Sequence, residues 1–89
     1  MNEFLAIGFD AYVNLGKVRV ISPTDPDKLR REMKKRNMEK SSPSFWDASN
    51  GKGVKSLLVL DDGFLVTSAL GTDTLFKRFN DYKNGGNAK

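Results

Sequence analysis

Residues 54–68 read VKSLLVLDDGFLVTS. Two apolar runs flank Asp61-Asp62-Gly63, and an Asp-Gly pair favours a tight turn because Gly readily adopts the positive φ that the turn requires. The stretch therefore predicts an antiparallel hairpin with strands over 54–60 and 64–68. Adjacent side chains in such a turn usually diverge, so we interpret Asp61 and Asp62 as turn residues and not as an acid–base pair.

The same two strands are apolar on both of their alternating faces. An antiparallel sheet with one face in water would carry polar residues on that face. Both faces must therefore be covered, either by helices of the same chain or by a neighbouring subunit. For a chain of 89 residues we favour the neighbouring subunit, which is the first indication of a homo-oligomer.

Further strands are predicted on the N-terminal side of this hairpin. Residues 4–9 and 17–21 have the composition of strands and would form a first hairpin around a bend at Asn14-Leu15-Gly16. Residues 45–48 would form a short strand, which the turn Asn50-Gly51-Lys52-Gly53 joins to the strand that follows it.

Two helices are predicted. The first begins at Pro26 with Asp25 as its N-cap, because Pro lacks the N–H that the first helical turn leaves unpaired, and it turns Leu29 and Met33 inward. The second follows Gly71-Thr72-Asp73 and carries an apolar stripe of Leu75, Phe76, Phe79 and Tyr82.

Together these elements predict one α+β domain over residues 1–83, with antiparallel β-hairpins and two helices. We expect residues 39–44 to form an exposed loop, because they are polar and break the helical periodicity. We expect residues 84–89 to form a flexible tail.

The chain contains neither cysteine nor histidine. It therefore has no disulfide, no thiolate nucleophile, no histidine to activate a serine and none of the usual zinc or haem ligands. We expect no cofactor, no small-molecule substrate and no enzymatic activity. The first residues lack the basic and long apolar regions of a signal peptide, and no apolar stretch approaches the roughly 20 residues of a membrane span. We therefore expect a cytoplasmic protein without membrane contact.

Basic residues outnumber acidic ones by 15 to 11, and the isoelectric point is about 9.5, as in many nucleic-acid-binding domains. The excess is concentrated in residues 28–40, which form either a phosphate-binding helix face or the solvated side of an amphipathic helix. Lys17 and Arg19 share one face of a predicted strand, and Lys55 begins another. These three residues form either a phosphate-binding cluster or a charged rim.

The turn at Lys52 is a further candidate. Its glycines let backbone N–H groups approach a phosphate while Lys52 supplies positive charge, although a plain hairpin turn explains the same residues. Trp46 and Tyr12 could stack on the bases of a single strand. A lone Trp beside Phe45 is, however, more typical of a core or of a subunit interface.

Three stretches follow one another in a distinctive order: Ile7-Gly8-Phe9, then Val20-Ile21-Ser22-Pro23, then Asp47-Ala48-Ser49-x-Gly51-Lys52 with an apolar strand and Thr67-Ser68-Ala69-Leu70 after it. In order and spacing they resemble the bacterial extracellular-matrix regulatory proteins, the RemA-like family, over residues 4–70. The resemblance implies a bacterial transcriptional regulator that assembles into a homo-oligomeric ring. It also implies that basic side chains along the ring meet the phosphates of duplex DNA.

The resemblance points to individual residues as well. Family members carry an Arg near the end of the first hairpin turn and an Arg pair after the glycine of the last stretch, and these are thought to bind DNA. The matching positions here are Lys17, then Lys52 and Gly53. Lys gives a phosphate a point charge but lacks the bidentate guanidinium, so the resemblance implies weaker or less specific contacts, for which Arg19, Lys55 and the basic helix could compensate.

We therefore predict a regulator that binds duplex DNA, mainly through its phosphates, as a homo-oligomer. RNA or single-stranded nucleic acid is the first alternative ligand. A protein-interaction scaffold that binds no nucleic acid is the alternative function. The predicted DNA-binding side chains are Lys17, Arg19, Lys52, Lys55, Arg31, Lys34 and Lys35.

Overall fold

The computed structural model describes residues 3–83, with side chains as far as Asp81. Strands β1 and β2 form a two-stranded sheet, and the other four strands form a second sheet in the order β3-β5-β6-β4. Two helices complete an α+β fold, as predicted. In chain order the elements are β1 (Phe4–Gly8), β2 (Ala11–Asn14), a one-turn 3-10 helix (Leu15–Lys17), β3 (Val18–Pro23), α1 (Pro26–Lys35), β4 (Phe45–Asp47), β5 (Ser56–Leu60), β6 (Leu65–Ser68) and α2 (Thr72–Lys83).

The hairpin predicted from residues 54–68 is present. β5 pairs antiparallel with β6, and the N–H of Leu60 donates to the carbonyl of Phe64 at 2.9 Å. Gly63 has a φ of 84°, and Asp62 Oδ1 accepts from the N–H of Phe64 at 3.1 Å. The Asp-Gly pair therefore closes the hairpin by the mechanism that its sequence indicates.

The N-terminal strands pair differently from the prediction. β1 pairs with β2, and Phe9 and Asp10 between them both have positive φ, as in the turns of two-residue hairpins. The predicted bend is the 3-10 helix, where Asn14 Oδ1 accepts from the N–H of Gly16 at 2.9 Å. The predicted pairing of the first strand with β3 is therefore wrong, because the chain turns earlier and then enters the second sheet.

Strand β4 is the second difference. It pairs parallel with β6, with Phe45 beside Leu65, so the predicted hairpin between β4 and β5 is wrong. Residues 48–55 instead cross the end of β6, so that β4 and β5 lie on opposite sides of β6 in the sheet. The turn at Asn50 and Gly51 exists, with positive φ at both residues. The four-stranded sheet is consequently mixed and not purely antiparallel.

Helix α1 starts as predicted. Pro26 is its first residue, and Asp25 Oδ1 accepts from the N–H of Lys28 at 2.8 Å. Leu29 and Met33 are buried. The cap and the apolar spacing of the sequence therefore determine both where the helix begins and which side it turns inward.

Helix α1 ends before the basic stretch over residues 28–40 does. Asn37 has positive φ, and the N–H of Met38 donates to the carbonyl of Met33 at 2.8 Å, the hydrogen bond of a Schellman cap. The helix ends at Lys35. Lys40 therefore lies beyond α1, in the loop that leads to β4.

Helix α2 also begins where predicted and packs against β1 and β3. Leu75 is fully buried and Phe79 packs against the same cluster. Phe76, which was predicted in this stripe, is 59% exposed, because it lies about 100° further round the helix than Leu75. The Tyr82 side chain and the predicted tail over 84–89 lie outside the described residues. Within 3–83 no helix is long and apolar enough to cross a bilayer.

The four-stranded sheet carries an apolar cluster on each face. On the face toward α1, here called the α1 face, the buried members are Leu29, Met33, Phe45, Leu57 and Leu65. On the opposite face, here called the α2 face, β1, β2 and α2 contribute, and the members are Leu5, Ile7, Ala11, Val13, Ala48, Leu58, Val66 and Leu75. Both faces are thus covered within one chain. The expectation that a neighbouring subunit covers one of them is wrong, since the β1–β2 hairpin does so.

Buried hydroxyls join the β1–β2 hairpin and the start of α2 to the main sheet. Ser68 Oγ donates to the carbonyl of Ile7 at 2.7 Å, and Ser56 Oγ donates to the carbonyl of Leu70 at 2.6 Å. These bonds satisfy polar groups that would otherwise be costly to bury. The α2 face is therefore held by specific hydrogen bonds as well as by apolar packing.

Candidate nucleic-acid interface

Helix α1 carries a high density of unpaired basic side chains. Its two acidic residues are already engaged, because Asp27 accepts from Arg30 at 2.9 Å and Glu32 accepts from Arg36 at 2.7 Å. The hydrogen bond from Arg36 holds the pKa of Glu32 below its ordinary value. Within the described residues, four basic side chains of the helix form no salt bridge: Lys28, Arg31, Lys34 and Lys35.

One flank of α1 borders a groove of about 710 Å³, here called the α1 groove, which is closed on its other side by the loop over 48–54. Lys34 and Lys52 both line it, so the structure brings a predicted helix residue and a predicted loop residue together. Arg30 and Lys40 line the same groove. Arg30 and Lys40 belong to the basic stretch over 28–40, but the sequence does not predict them as DNA-binding residues. Their common position in the groove depends on the fold of the loop over 48–54.

The other flank of α1 borders a smaller hollow of about 360 Å³ against the end of β3. Arg31 and Lys35 line this hollow together with Lys28. The three side chains follow the helical spacing that puts residues on one flank. The predicted helix residues are therefore divided between two flanks of α1.

Lys55 lies beside the start of α1. Its carbonyl accepts from the N–H of Thr24 at 3.0 Å, and its N–H donates to the carbonyl of Ser68 at 2.9 Å. It directly precedes β5 instead of beginning it, and its side chain is exposed. Lys55 therefore lies close to the predicted basic side chains of α1 and of the loop over 48–54. We call these residues together the α1 basic group: Arg31, Lys34, Lys35, Lys52 and Lys55.

Lys17 and Arg19 lie at the other end of the β3–β5 pair. Lys17 ends the 3-10 helix, so the two residues do not share a strand as predicted. The carbonyl of Lys17 accepts from the N–H of Asp61 at 2.8 Å, and Arg19 Nε lies 3.9 Å from Asp61 Oδ1. Because β5 separates them from Lys55 by about 16 Å, we treat them as a distinct β3 basic pair.

The loop that carries Lys52 is fixed to the sheet by Asp47. Its Oδ1 accepts from Thr67 Oγ1 at 2.7 Å, from the N–H of Ser49 at 3.0 Å and from the Ser49 hydroxyl. Partial burial acts to raise the pKa of Asp47, but these bonds and the charge of Lys40 outweigh it and hold the pKa below its ordinary value. The Asp-x-Ser pattern is a local signal for such a turn, whereas the bond to Thr67 depends on the parallel pairing.

We predict that Asp47→Asn lowers stability in a manner that depends on pH. The folded state lowers the pKa of Asp47 from 3.8, so the carboxylate stabilises the fold above that pH, and the contribution disappears as pH falls through the lower folded value. Urea unfolding of wild type and variant across pH 2 to 7 measures this. The difference in unfolding free energy should be constant near neutral pH and shrink in acid. A difference that grows in acid would contradict the prediction.

The two candidate stacking residues lie away from the α1 basic group. Trp46 and Tyr12 are 41% and 55% exposed, so the interpretation of Trp46 as a residue of the chain's own core is wrong. Phe45 packs on the α1 face, and its neighbour in the strand therefore points to the opposite face. Tyr12 belongs to the hairpin that covers the α2 face. Neither ring shares a face with the α1 basic group.

Residues 4–79 match the sequence model of one protein family, described as "RemA-like: Extracellular matrix regulatory protein A-like". The chain belongs to the RemA-like family. The match covers the elements from β1 into α2, and it confirms the family that the order of motifs predicts.

Two relatives of this RemA-like chain, each named "Putative regulatory protein", align with most of it. One, from Coprothermobacter proteolyticus, is 31% identical over 78 residues, which are 88% of this chain and 71% of the relative. The other, from Lachnoclostridium phytofermentans, is 32% identical over 80 residues, which are 90% of this chain and 85% of the relative. The chain is thus similar to proteins that are named as regulatory.

Proposed function

We propose that this RemA-like protein is a DNA-binding transcriptional regulator, and that a homo-oligomer contacts the phosphates of duplex DNA through the α1 basic group. The proposal includes a cytoplasmic location, where bacterial DNA is accessible, and no catalytic activity or cofactor. Membership of the RemA-like family and similarity to proteins named as regulatory support it.

The uneven distribution of charge is the observation that carries the proposal. Residues 28–40 hold seven basic and two acidic side chains, while the rest of the chain holds eight basic and nine acidic ones. The positive charge is therefore concentrated around α1, on one side of the sheet. Such one-sided charge is the electrostatic footprint expected of a protein that follows a phosphate backbone.

The position of the aromatic side chains favours duplex DNA over a single strand. Binding of single strands combines a basic groove with rings on which the bases stack. Here Trp46 and Tyr12 are associated with the opposite side of the sheet from the α1 basic group. Phosphate contacts without nearby stacking are sufficient for a duplex, whose bases are already stacked on one another.

Two features of the chain support self-assembly. β3 and β4 are edge strands of the four-stranded sheet, and an open edge can pair with a strand of another copy. Several large apolar side chains are also exposed in the single chain: Phe4, Phe9, Tyr12, Val20, Trp46 and Phe76. An oligomer would cover part of this surface and would repeat the basic group, so that weak lysine contacts add through effective concentration.

Fluorescence anisotropy with labelled duplex and single-stranded oligonucleotides of equal length tests the proposal, with light scattering to measure the mass of the protein. We expect tighter binding to the duplex and a mass above that of one chain. If the α1 basic group of one subunit neutralises about four phosphates, the affinity for DNA should fall roughly 100-fold between about 50 and 200 mM salt.

Three outcomes would contradict the proposal. An affinity that is unchanged by salt would exclude phosphate contacts as its basis. Tighter binding to the single strand would support the first alternative ligand. An oligomer that binds neither oligonucleotide at low salt would support the interaction scaffold.

A further inference from the structure

The α1 groove has the size and the lining of a small-molecule site. Its volume of about 710 Å³ lies within the range of roughly 300–1,000 Å³ that is typical of ligand pockets. Its apolar lining includes Leu29, Met33, Phe45 and Val54, which belong to or pack against the cluster between α1 and the sheet. The groove therefore borders one of the two apolar clusters of the protein, of which Leu29, Met33 and Phe45 are buried and Val54 is partly exposed.

Both walls of the groove have defined positions. α1 forms one wall and is fixed at both ends by its caps. The opposite wall is the loop over 48–54, which Asp47 ties to β6 through Thr67. Met33 and Met38 also line the groove, and their flexible side chains can adapt to ligands of different shape.

The charges of the lining favour an anion. Four basic side chains, Arg30, Lys34, Lys40 and Lys52, face two acidic ones, Glu39 and Asp47. Asp47 already accepts hydrogen bonds from Ser49 and Thr67, whereas Lys34 and Lys52 form no salt bridge within the described residues. These two lysines are consequently available to an anionic group.

The loop wall leaves the approach open. A side-chain carbon added at Gly51 or Gly53 would meet no other atom within 4 Å. Gly53 also has no positive φ, so its backbone can accept a larger residue. Because Gly53 also lines the groove, a large side chain at this position is a means of blocking it.

We propose that the α1 groove binds an amphipathic anion, with an aliphatic or aromatic body on the apolar lining and a carboxylate or phosphate at Lys34 and Lys52. Because the proposed function assigns the same lysines to DNA, the ligand competes with DNA, and the groove serves as an effector site. Ligand binding does not depend on the proposed function, but the competition does.

The direct test is NMR titration of the ¹⁵N-labelled protein without DNA. Octanoate and octyl phosphate are the probes, because they share a body and differ in the anionic group. n-Octanol supplies the body without charge, and inorganic phosphate supplies charge without the body. We expect saturable shifts of amides in residues 29–40 and 48–54 with both anions. n-Octanol and inorganic phosphate should each bind at least about tenfold more weakly.

Two variants and one control locate the ligand. Lys52→Ala should weaken binding of octyl phosphate by about tenfold without changing that of n-octanol. Gly53→Trp should prevent binding of octyl phosphate and of n-octanol. Lys77 is an exposed residue of α2 on the other side of the sheet. Lys77→Ala removes one positive charge, as Lys52→Ala does, and should change the binding of neither octyl phosphate nor n-octanol. Amide spectra and thermal unfolding verify that each variant is folded.

The competition is measured by anisotropy of a labelled duplex. Octyl phosphate should release the duplex from wild type and from Lys77→Ala. Because Gly53 adjoins Lys52, the duplex affinity of Gly53→Trp is measured first without octyl phosphate, and octyl phosphate should not lower it further. If no duplex binds while the NMR shifts are present, the proposed function fails and the ligand site stands.

Three results would overturn the ligand site. n-Octanol could bind as tightly as octanoate, which would show apolar adsorption only. Inorganic phosphate could bind as tightly as octyl phosphate, which would show an adventitious ion only. The oligomer could dissociate in proportion to octyl phosphate bound, which would make the groove a contact between copies.

Discussion

Replacing Lys34 and Lys52 together by alanine is expected to lower the affinity for duplex DNA by about 100-fold. In the proposed complex each lysine supplies a charged hydrogen bond to a phosphate, and each such contact contributes about 1.5 kcal/mol or more. The slope of log K against log salt should also become shallower by about two, since two fewer phosphates are neutralised. Anisotropy at several salt concentrations measures both quantities, and light scattering verifies that the mass of the protein is unchanged.

Two comparison variants make this result specific. Lys77→Glu changes the net charge by the same amount as the double substitution, but on α2, and should leave the affinity within about threefold because exposed charges beyond a Debye length are largely screened. Substituting Lys17 and Arg19 by alanine tests the β3 basic pair. If the Lys17 and Arg19 variant loses affinity for DNA and the Lys34 and Lys52 variant does not, the DNA contacts the other end of the sheet. The α1 basic group is then the wrong site.

Leu58→Ala is expected to lower the free energy of unfolding by about 3 kcal/mol. Leu58 is fully buried on β5, which lies between β3 and β6, and its truncation leaves a cavity between the sheet and the elements of the α2 face. Domains of this size are stable by only about 5–15 kcal/mol. Urea unfolding at one fixed protein concentration measures the loss and avoids a contribution from altered assembly.

Val20→Ala is the control for this substitution. Val20 lies on the neighbouring strand β3 and is 47% exposed, so its truncation should cost less than about 1 kcal/mol at matched assembly. Equal losses in the two variants would mean that the α2 face does not pack as a core in solution. A large loss in Val20→Ala accompanied by a lower mass would instead place β3 in a contact between copies.

Elements with strong local signals could be predicted from the sequence. The Asp-Gly turn gave the β5–β6 hairpin, and Asp25 with Pro26 gave the start of α1. Pairings that depend on distant residues could not be predicted. Phe9 and Asp10 have positive φ, which is uncommon for Phe, so the pair does not match the Asn-Gly or Asp-Gly signal of a two-residue hairpin turn. The short strand β4 likewise contains nothing that distinguishes a parallel neighbour from an antiparallel one.

The candidate site was predictable to a similar degree. The local excess of charge around α1 could be read directly, and so could the exposure of its lysines. That Lys34 and Lys52 line one groove follows from the path of residues 48–55 past β6, which rests on the parallel pairing of β4. The separation of Arg19 from Lys55 has a different origin, since the antiparallel register of β3 and β5 places them at opposite ends of that strand pair.

The sheet stands between the basic side of the molecule and the side with most of the exposed aromatic rings. A mutation that alters the charge around α1 therefore touches no residue of the cluster beneath α2, and a change at Tyr12 or Phe76 leaves the α1 groove as it was. The two surfaces can consequently diverge independently among related sequences. A substitution that adapts one of these surfaces to a new partner therefore needs no compensating change on the other.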